Sequence, residues 1–282
     1  MPRHLPIWPT FFAAITATLR NWRYAWRISW PWLLIVSAAT IGSVLAIVLV
    51  LGHSPSDRYT KWGPAIANIL NLAAPPDYKI SLVQNLLLFL LAMTALSAVA
   101  VNWHRFLLAG EEVRGLDVLK LDDTRMRYLA RFLVVTLVPA AIVFAAGNLP
   151  GLFFLEDEQR AQQANAVGAL LLFPLAAALF MRLAVGLPAV AVDRADITLS
   201  EAWNVTQGNG GRAVSLLLLY LVTLALGHVI SLLIGAGFSA LSHGLADWVS
   251  FLLKLAVHWF VTILAITLFT AIYGYLIEEQ DF

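Results

Sequence analysis

Four side chains in the last third of the chain are of types that could move protons or hold an ion inside a membrane: His228, Asp247, Lys254 and His258. On a helix turning 100° per residue, Asp247, Ser250, Lys254, His258 and Thr262 fall within about 120° of one another, a polar stripe in an apolar segment. His228 lies about nine residues before Gly237 and His258 about ten beyond Trp248. At a rise of about 1.5 Å per residue, two antiparallel neighbours would hold both rings at similar depth. A lysine near the centre of a membrane helix costs about 2.5–3.5 kcal/mol on insertion scales, which calls for a partner or a wet cavity. Two readings stand: a buried polar site toward the external leaflet, or Lys254 snorkelling to Asp247 or the headgroups while the histidines stay neutral and hydrogen-bonded.

Other chemistry is sparse. The i,i+4 pairs His53 with Asp57 and His243 with Asp247 have metal-compatible spacing, but two ligands in separate loops read as solvated side chains. The sequence holds no HExxH, GxSxG, Walker or GxGxxG pattern, and without cysteine it can form no disulfide, CxxC zinc site or haem attachment. The expectation is a non-enzymatic protein with no cofactor and no metal. Nucleic acid is excluded as a partner by a net charge of +1 and the lack of a basic tail.

The elements that must position these residues are membrane helices. Of 282 residues, 60% are hydrophobic and 12% charged, where a soluble domain carries about 25% charged, and the mean hydropathy is +0.80. Runs long enough to cross a bilayer lie at Leu33–Leu51, Leu82–Val101, Phe132–Leu155, Ala161–Met181, Ala213–Ser242 and Trp248–Ile277. The expected fold is therefore an all-α polytopic transmembrane bundle of about six spans. With six, both termini share a side. Thirteen of the 18 Lys and Arg fall there: Arg3, Arg20, Arg23 and Arg27, then Arg105, Arg114, Lys120, Arg125, Arg127 and Arg131, then Arg182, Arg194 and Arg212. Opposite them are Arg58, Lys61, Lys79 and Arg160, with Lys254 inside the last span. The positive-inside rule then makes both termini cytoplasmic, in a bacterial inner membrane. No cleavable leader pattern precedes the first span, which reads as a retained anchor.

Residues 9–29 form a further element. Phe11, Phe12, Ile15, Leu19, Trp22 and Trp26 fall on one helical face with Arg20, Arg23 and Arg27 beside it. This predicts an amphipathic helix along the cytoplasmic leaflet, its arginines touching lipid headgroups, and divides the chain into an interfacial helix at 1–29 and a six-span domain at 30–282. The first external loop suggests a short surface helix through Trp62, Ile66, Ile69 and Leu70, and the second is acidic at Glu156, Asp157 and Glu158. On the cytoplasmic side, Asp122, Asp123 and Thr124 are helix-start candidates. Thr198 and Glu201 form a T-x-x-E capping box opening a short helix at about 199–207, with Gly208 beyond its end.

That last segment, residues 187–214, carries a likeness on Pro188, Asp193, Ala202, Trp203, Thr206, Gly208 and Asn209, with His104, Arg105 and Gly110 less specifically. It resembles bacterial multi-spanning proteins of the YciC-like group and the membrane domain fused to some glycerophosphodiester phosphodiesterases, and departs from them at Gly210 and Gly211. The resemblance implies the six-span layout without the soluble catalytic domain. From the residues themselves, Gly208, Gly210 and Gly211 around Asn209 could open a helix N-terminus to a lipid phosphate beside Arg212, or form a simple turn. The functional expectation is an accessory subunit or lipid-contacting scaffold, its partners membrane lipids and other membrane proteins or a second copy. The alternative is a small transporter or lipid-handling protein using the polar site between spans five and six.

A chain without native cysteine suits single-cysteine labelling. Arg114→Cys and Arg194→Cys are expected to react with an impermeant maleimide only after the membrane is opened; labelling of either in sealed cells would reverse the topology.

Overall fold

A backbone crossing hydrocarbon must satisfy its own hydrogen bonds, so long apolar runs become helices. The computed structural model, which describes residues 3–51, 76–149, 153, 158–194, 196–239 and 243–280, is an all-α bundle with no strand among the described residues. Its helices are α1 Ile7–Arg20, α2 Trp22–Leu51, α3 Pro76–Ala109, α4 Asp123–Asn148, α5 Glu158–Ala184, α6 Leu187–Ala191, α7 Leu199–Val205, α8 Gly210–Ser239 and α9 His243–Leu276, with a 3-10 turn at Gly115–Leu119. Among the described residues five helical segments are long and apolar enough to span a membrane: Val83–Ala109, Gly115–Asn148, Gln159–Ala191, Gly210–Phe238 and Asp247–Leu276. The sequence expects a sixth at Leu33–Leu51; that stretch is helical within α2 but is not among the five. The expected loop helix near Trp62, the pair His53 and Asp57, Glu156 and Asp157 of the acidic loop, and the side chains of Glu158 and His243 lie outside the described residues.

The chain divides into two compact units. One comprises Met1–Ala25, Ala100–Glu112 and Leu121–Phe282, the other Trp26–Val99 and Val113–Lys120. In the smaller unit the Trp32 indole N–H donates to the Val118 carbonyl at 3.0 Å, and Gln84 Nε2 donates to Ser43 Oγ at 2.8 Å, joining α2 to α3. In the larger unit α8 packs on α9 and α4 on α5, with α5 also against α8 and α1 against both α8 and α9. Its core gathers Leu5, Phe11 and Ala14 with Met181, Val185, Leu216, Leu264, Leu268, Ile272 and Tyr273.

The N-terminal helix differs from the expected surface element in two ways. It ends at Arg20, where Asn21 accepts from the N–H groups of Tyr24 and Ala25 and so starts α2, which carries residues 22–29. It also packs on the bundle through Thr10, Phe11, Ala14 and Thr18, leaving Trp8, Phe12 and Leu19, like Trp22 at the start of α2, about half exposed or more. The aromatic face thus splits: Phe11 and Ile15 join the core, and the others point outward. Small residues four apart, Thr10, Ala14 and Thr18, let the helix approach closely.

Helix ends follow the sequence signals. Asp122 caps α4 by accepting from the Arg125 N–H, and Thr198 with Glu201 completes the capping box of α7, which runs 199–205. Gly110 and Gly208 take φ of +69° and +76° after α3 and α7, where a side chain would be strained. Helix α4 runs on through Pro139 and α5 through Pro174.

Among the described glycines one is demanding. A Cβ on Gly227 would lie 2.7 Å from Val257 Cγ1, whereas Gly42 and Gly237 face open space. Gly227→Ala is expected to force α8 and α9 apart and cost about 1–3 kcal/mol, while Gly237→Ala is neutral or stabilising. Thermal unfolding in detergent compares them, and equal effects would contradict the close approach.

Candidate functional site

The polar residues of the larger unit collect where α3 ends and α4 begins. A buried imidazole in apolar surroundings needs partners on both nitrogens, and His104, fully buried near the end of α3, has them: Nδ1 lies 2.8 Å from Thr270 Oγ1 and Nε2 lies 3.1 Å from the Tyr128 hydroxyl. Thr270 donates its own proton to the Ile266 carbonyl. Its oxygen therefore accepts from His104 Nδ1–H, and Nε2 accepts from Tyr128. This ordering makes the imidazole neutral, with both nitrogens occupied.

The same accounting closes the next cluster. Thr267 donates to the Ile263 carbonyl at 2.7 Å and accepts from the Trp103 indole at 2.8 Å and from Thr18 at 2.9 Å. One hydroxyl on α9 thereby ties α1 to α3. Tyr24 stacks on Phe106 with ring centroids 4.2 Å apart, beside Trp103.

Charged groups form the layer around α4. Arg125, 4% exposed, donates to Asp122 at 2.7 Å and to the Asn102 side-chain carbonyl at 2.6 Å. Asp193, held at φ +57°, accepts from Arg105 at 2.6 Å, from Arg127 at 2.8 Å and from Thr124 at 2.8 Å. Arg105 also donates to the Ala191 carbonyl. Arg194 pairs with Asp196 and Glu278, and its hydrogen bond holds the Asp196 carboxyl below the usual carboxylate range. Arg131 donates to the carbonyls of Gly186 and Ile197, and a cleft beside it is lined by Arg127, Arg131, Asp193 and Arg194.

The residues singled out from the sequence are distributed differently. His228 and His258 do meet, their ring centroids 4.8 Å apart and nearly perpendicular. They meet on an open face rather than in the interior: His258 and Asp247 are exposed, His228 and Lys254 partly buried. His258 Nδ1 donates to the Lys254 carbonyl one turn back, and among the described residues no ion pair joins Lys254 to Asp247. The candidate headgroup contacts divide as well. Arg20 and Arg23 are exposed and Arg27 partly buried. Asn209 is 1% exposed and is no headgroup contact: its side chain accepts from the Leu5 N–H and donates to the Arg3 carbonyl, each at 2.9 Å, clamping the segment before α1. Arg212 is partly buried, with Nη1 unpartnered among the described residues.

With the second span expected to end at Val101, Asn102 and Arg125 fall in a cytoplasmic segment and are not singled out as a network, His104 enters only through the resemblance, and Arg131 only as one of the basic residues. The run Asn-Trp-His-Arg at an apolar span's end was the available signal, since polar side chains in a membrane helix face protein. Several of the residues in the resemblance make joints between elements. Pro188 starts α6, Ala202 lies against Gly186, and Arg182 lies 3.4 Å over the Trp203 ring and donates to Thr206. Comparisons with family models, with curated proteins and with solved structures each return no match.

Removing His104 deprives the buried Tyr128 hydroxyl of its acceptor, takes one donor from Thr270 and leaves a cavity. His104→Ala is expected to lower stability by about 2–4 kcal/mol, Arg125→Leu by about 3–5 kcal/mol, and Tyr128→Phe by about 1 kcal/mol. Unfolding in detergent reads the order, and tolerance of all three would contradict a load borne by this network.

Proposed function

We propose that the chain is a non-enzymatic membrane protein of the bacterial inner membrane, with both termini cytoplasmic, that serves as a lipid-contacting scaffold or accessory subunit of a larger assembly. The observation that carries this reading is how the polar groups are used. The buried His104 imidazole and Trp103 indole on α3 pair with the Thr270, Tyr128 and Thr267 hydroxyls, and Arg125 at the start of α4 pairs with the Asn102 side-chain carbonyl, leaving Asn102 Nδ2 unpartnered among the described residues; these pairs run between helices, an arrangement suited to holding them in place. The outward faces are apolar: on α8 alone Leu218, Val222, Leu226, Val229, Ile230, Leu232 and Leu233 are at least half exposed. Such continuous apolar surface suits lipid tails and neighbouring membrane helices. The exposed Trp8, Phe12 and Trp22 with Arg20 and Arg23 suit the inner leaflet's headgroup region. The resemblance on residues 188–209 supports the same reading, because in the glycerophosphodiester phosphodiesterases it suggests the activity belongs to a soluble domain fused to the membrane one.

A second reading, a small carrier of lipid or solute, is favoured by the contact of His228 with His258 beside Lys254, within membrane-spanning helices.

Purification in mild detergent with mass analysis of what is retained separates the two. A stoichiometric protein partner or a defined homo-oligomer, kept by Lys254→Met and His258→Phe, is expected. A monomer that retains a solute and loses it in those variants would overturn the scaffold in favour of the carrier.

A further inference from the structure

The cleft beside α4 has a volume of about 360 Å³ and is lined by Arg127, Arg131, Asp193 and Arg194 over an apolar floor of Ala130 and Val190. That is within the ~300–1,000 Å³ of small-ligand sites. Its one lining carboxylate is already engaged by Arg105, Arg127 and Thr124. Arg194 closes on Asp196 and Glu278, and Arg127 on Asp123 and Asp193.

Arg131 is different. Its Nη1 donates to two carbonyls, Gly186 at 3.3 Å and Ile197 at 2.9 Å, while among the described residues Nε and Nη2 have no protein partner and no carboxylate pairs with it. Arg182, which also lacks an acid, has the Trp203 ring 3.4 Å beneath it, a partly negative face that stands in for one. No ring faces Arg131 among the described residues. A partly buried guanidinium without counter-charge is stabilised by an anion, and its planar fork matches phosphate oxygens. Arg131 lies about eight residues, or about 12 Å, beyond the start of α4, at the end of the span that the basic asymmetry assigns to the cytoplasmic side.

We infer that this cleft binds a phosphate ester through Arg131 Nε and Nη2, with Arg127 and Arg194 as flanking positive charge. The ester is supplied either by an anionic phospholipid headgroup or by a soluble phosphate. The inference rests on the lipid-contacting reading above only for where the cleft lies. The two fail separately, because partner retention is read without reference to this site.

The test uses the full chain in nanodiscs of phosphatidylcholine with or without phosphatidylglycerol, and native mass spectrometry of bound lipid. The expected result is one phosphatidylglycerol retained in preference to phosphatidylcholine. Its affinity falls about tenfold, the ~1.4 kcal/mol of one charge-assisted contact, in Arg131→Gln, which keeps an amide to donate to Gly186 and Ile197. Arg131→Lys restores part of it. Ala130→Phe, at an exposed position on the cleft wall, blocks it without touching a charge, so a misfolded Arg131 variant does not decide the matter. Millimolar inorganic phosphate that displaces the lipid identifies a soluble ester as the source; lipid that phosphate cannot displace identifies the headgroup. Phosphatidylglycerol retained equally by wild type, Arg131→Gln and Ala130→Phe would overturn the site.

Discussion

The carboxylate of Asp193 is the point on which the basic end of the larger unit depends. It receives Arg105 from the end of α3 and Thr124 and Arg127 from the start of α4, and it sits in the turn after α6. A residue at φ +57° is uncommon outside glycine, and asparagine and aspartate tolerate it best because their short side chains can bond locally. Here that backbone conformation aims the carboxylate back toward two helices. Asp193 and Arg127 are about half exposed and Arg105 is partly exposed, so each ion pair alone contributes little; the weight of the joint comes from three donors converging on one group.

Below that layer the constraint changes from charge to hydrogen-bond direction. Each threonine hydroxyl on α9 gives its proton to its own helix, at Ile263 and Ile266, and so presents a pure acceptor to neighbours that are pure donors at that point, the Trp103 indole and His104 Nδ1–H. In a low-dielectric interior a donor facing a donor is expensive, and this arrangement admits one assignment of protons. Specific packing of α1, α3, α4 and α9 follows from that assignment as much as from the apolar core around Leu264 and Leu268.

The helices were legible because bilayer thickness sets a minimum apolar run, and Asp122 and the Thr198–Glu201 box were legible because capping depends on three or four consecutive residues. The meeting of His228 with His258 followed from depth arithmetic alone, since a short connection leaves antiparallel packing as the geometry for α8 and α9. What stayed hidden was long-range. Nothing local says that Asn209 faces residues 3–5, because a turn between glycines reads equally well as a solvent-facing loop or an anion cradle. The wheel of residues 9–29 located the aromatic face but passed over the Thr10, Ala14, Thr18 stripe, whose small size is the packing signal. The Arg131 cleft needs residues from α4 and from the turn after α6, and no spacing in the sequence joins them.

The clamp on the first residues has a consequence for how the molecule comes into being. Leu5 is bonded to a residue 204 positions later, and Thr18 to one 249 positions later. At translation rates of about 5–20 residues per second, α1 is synthesised about 10–40 s before Asn209 exists. Its inward stripe of Thr10, Ala14 and Thr18 stays unmatched through that interval. Docking of the earliest helix is thus among the last events of assembly, timed by the emergence of α8 and α9 rather than by its own folding.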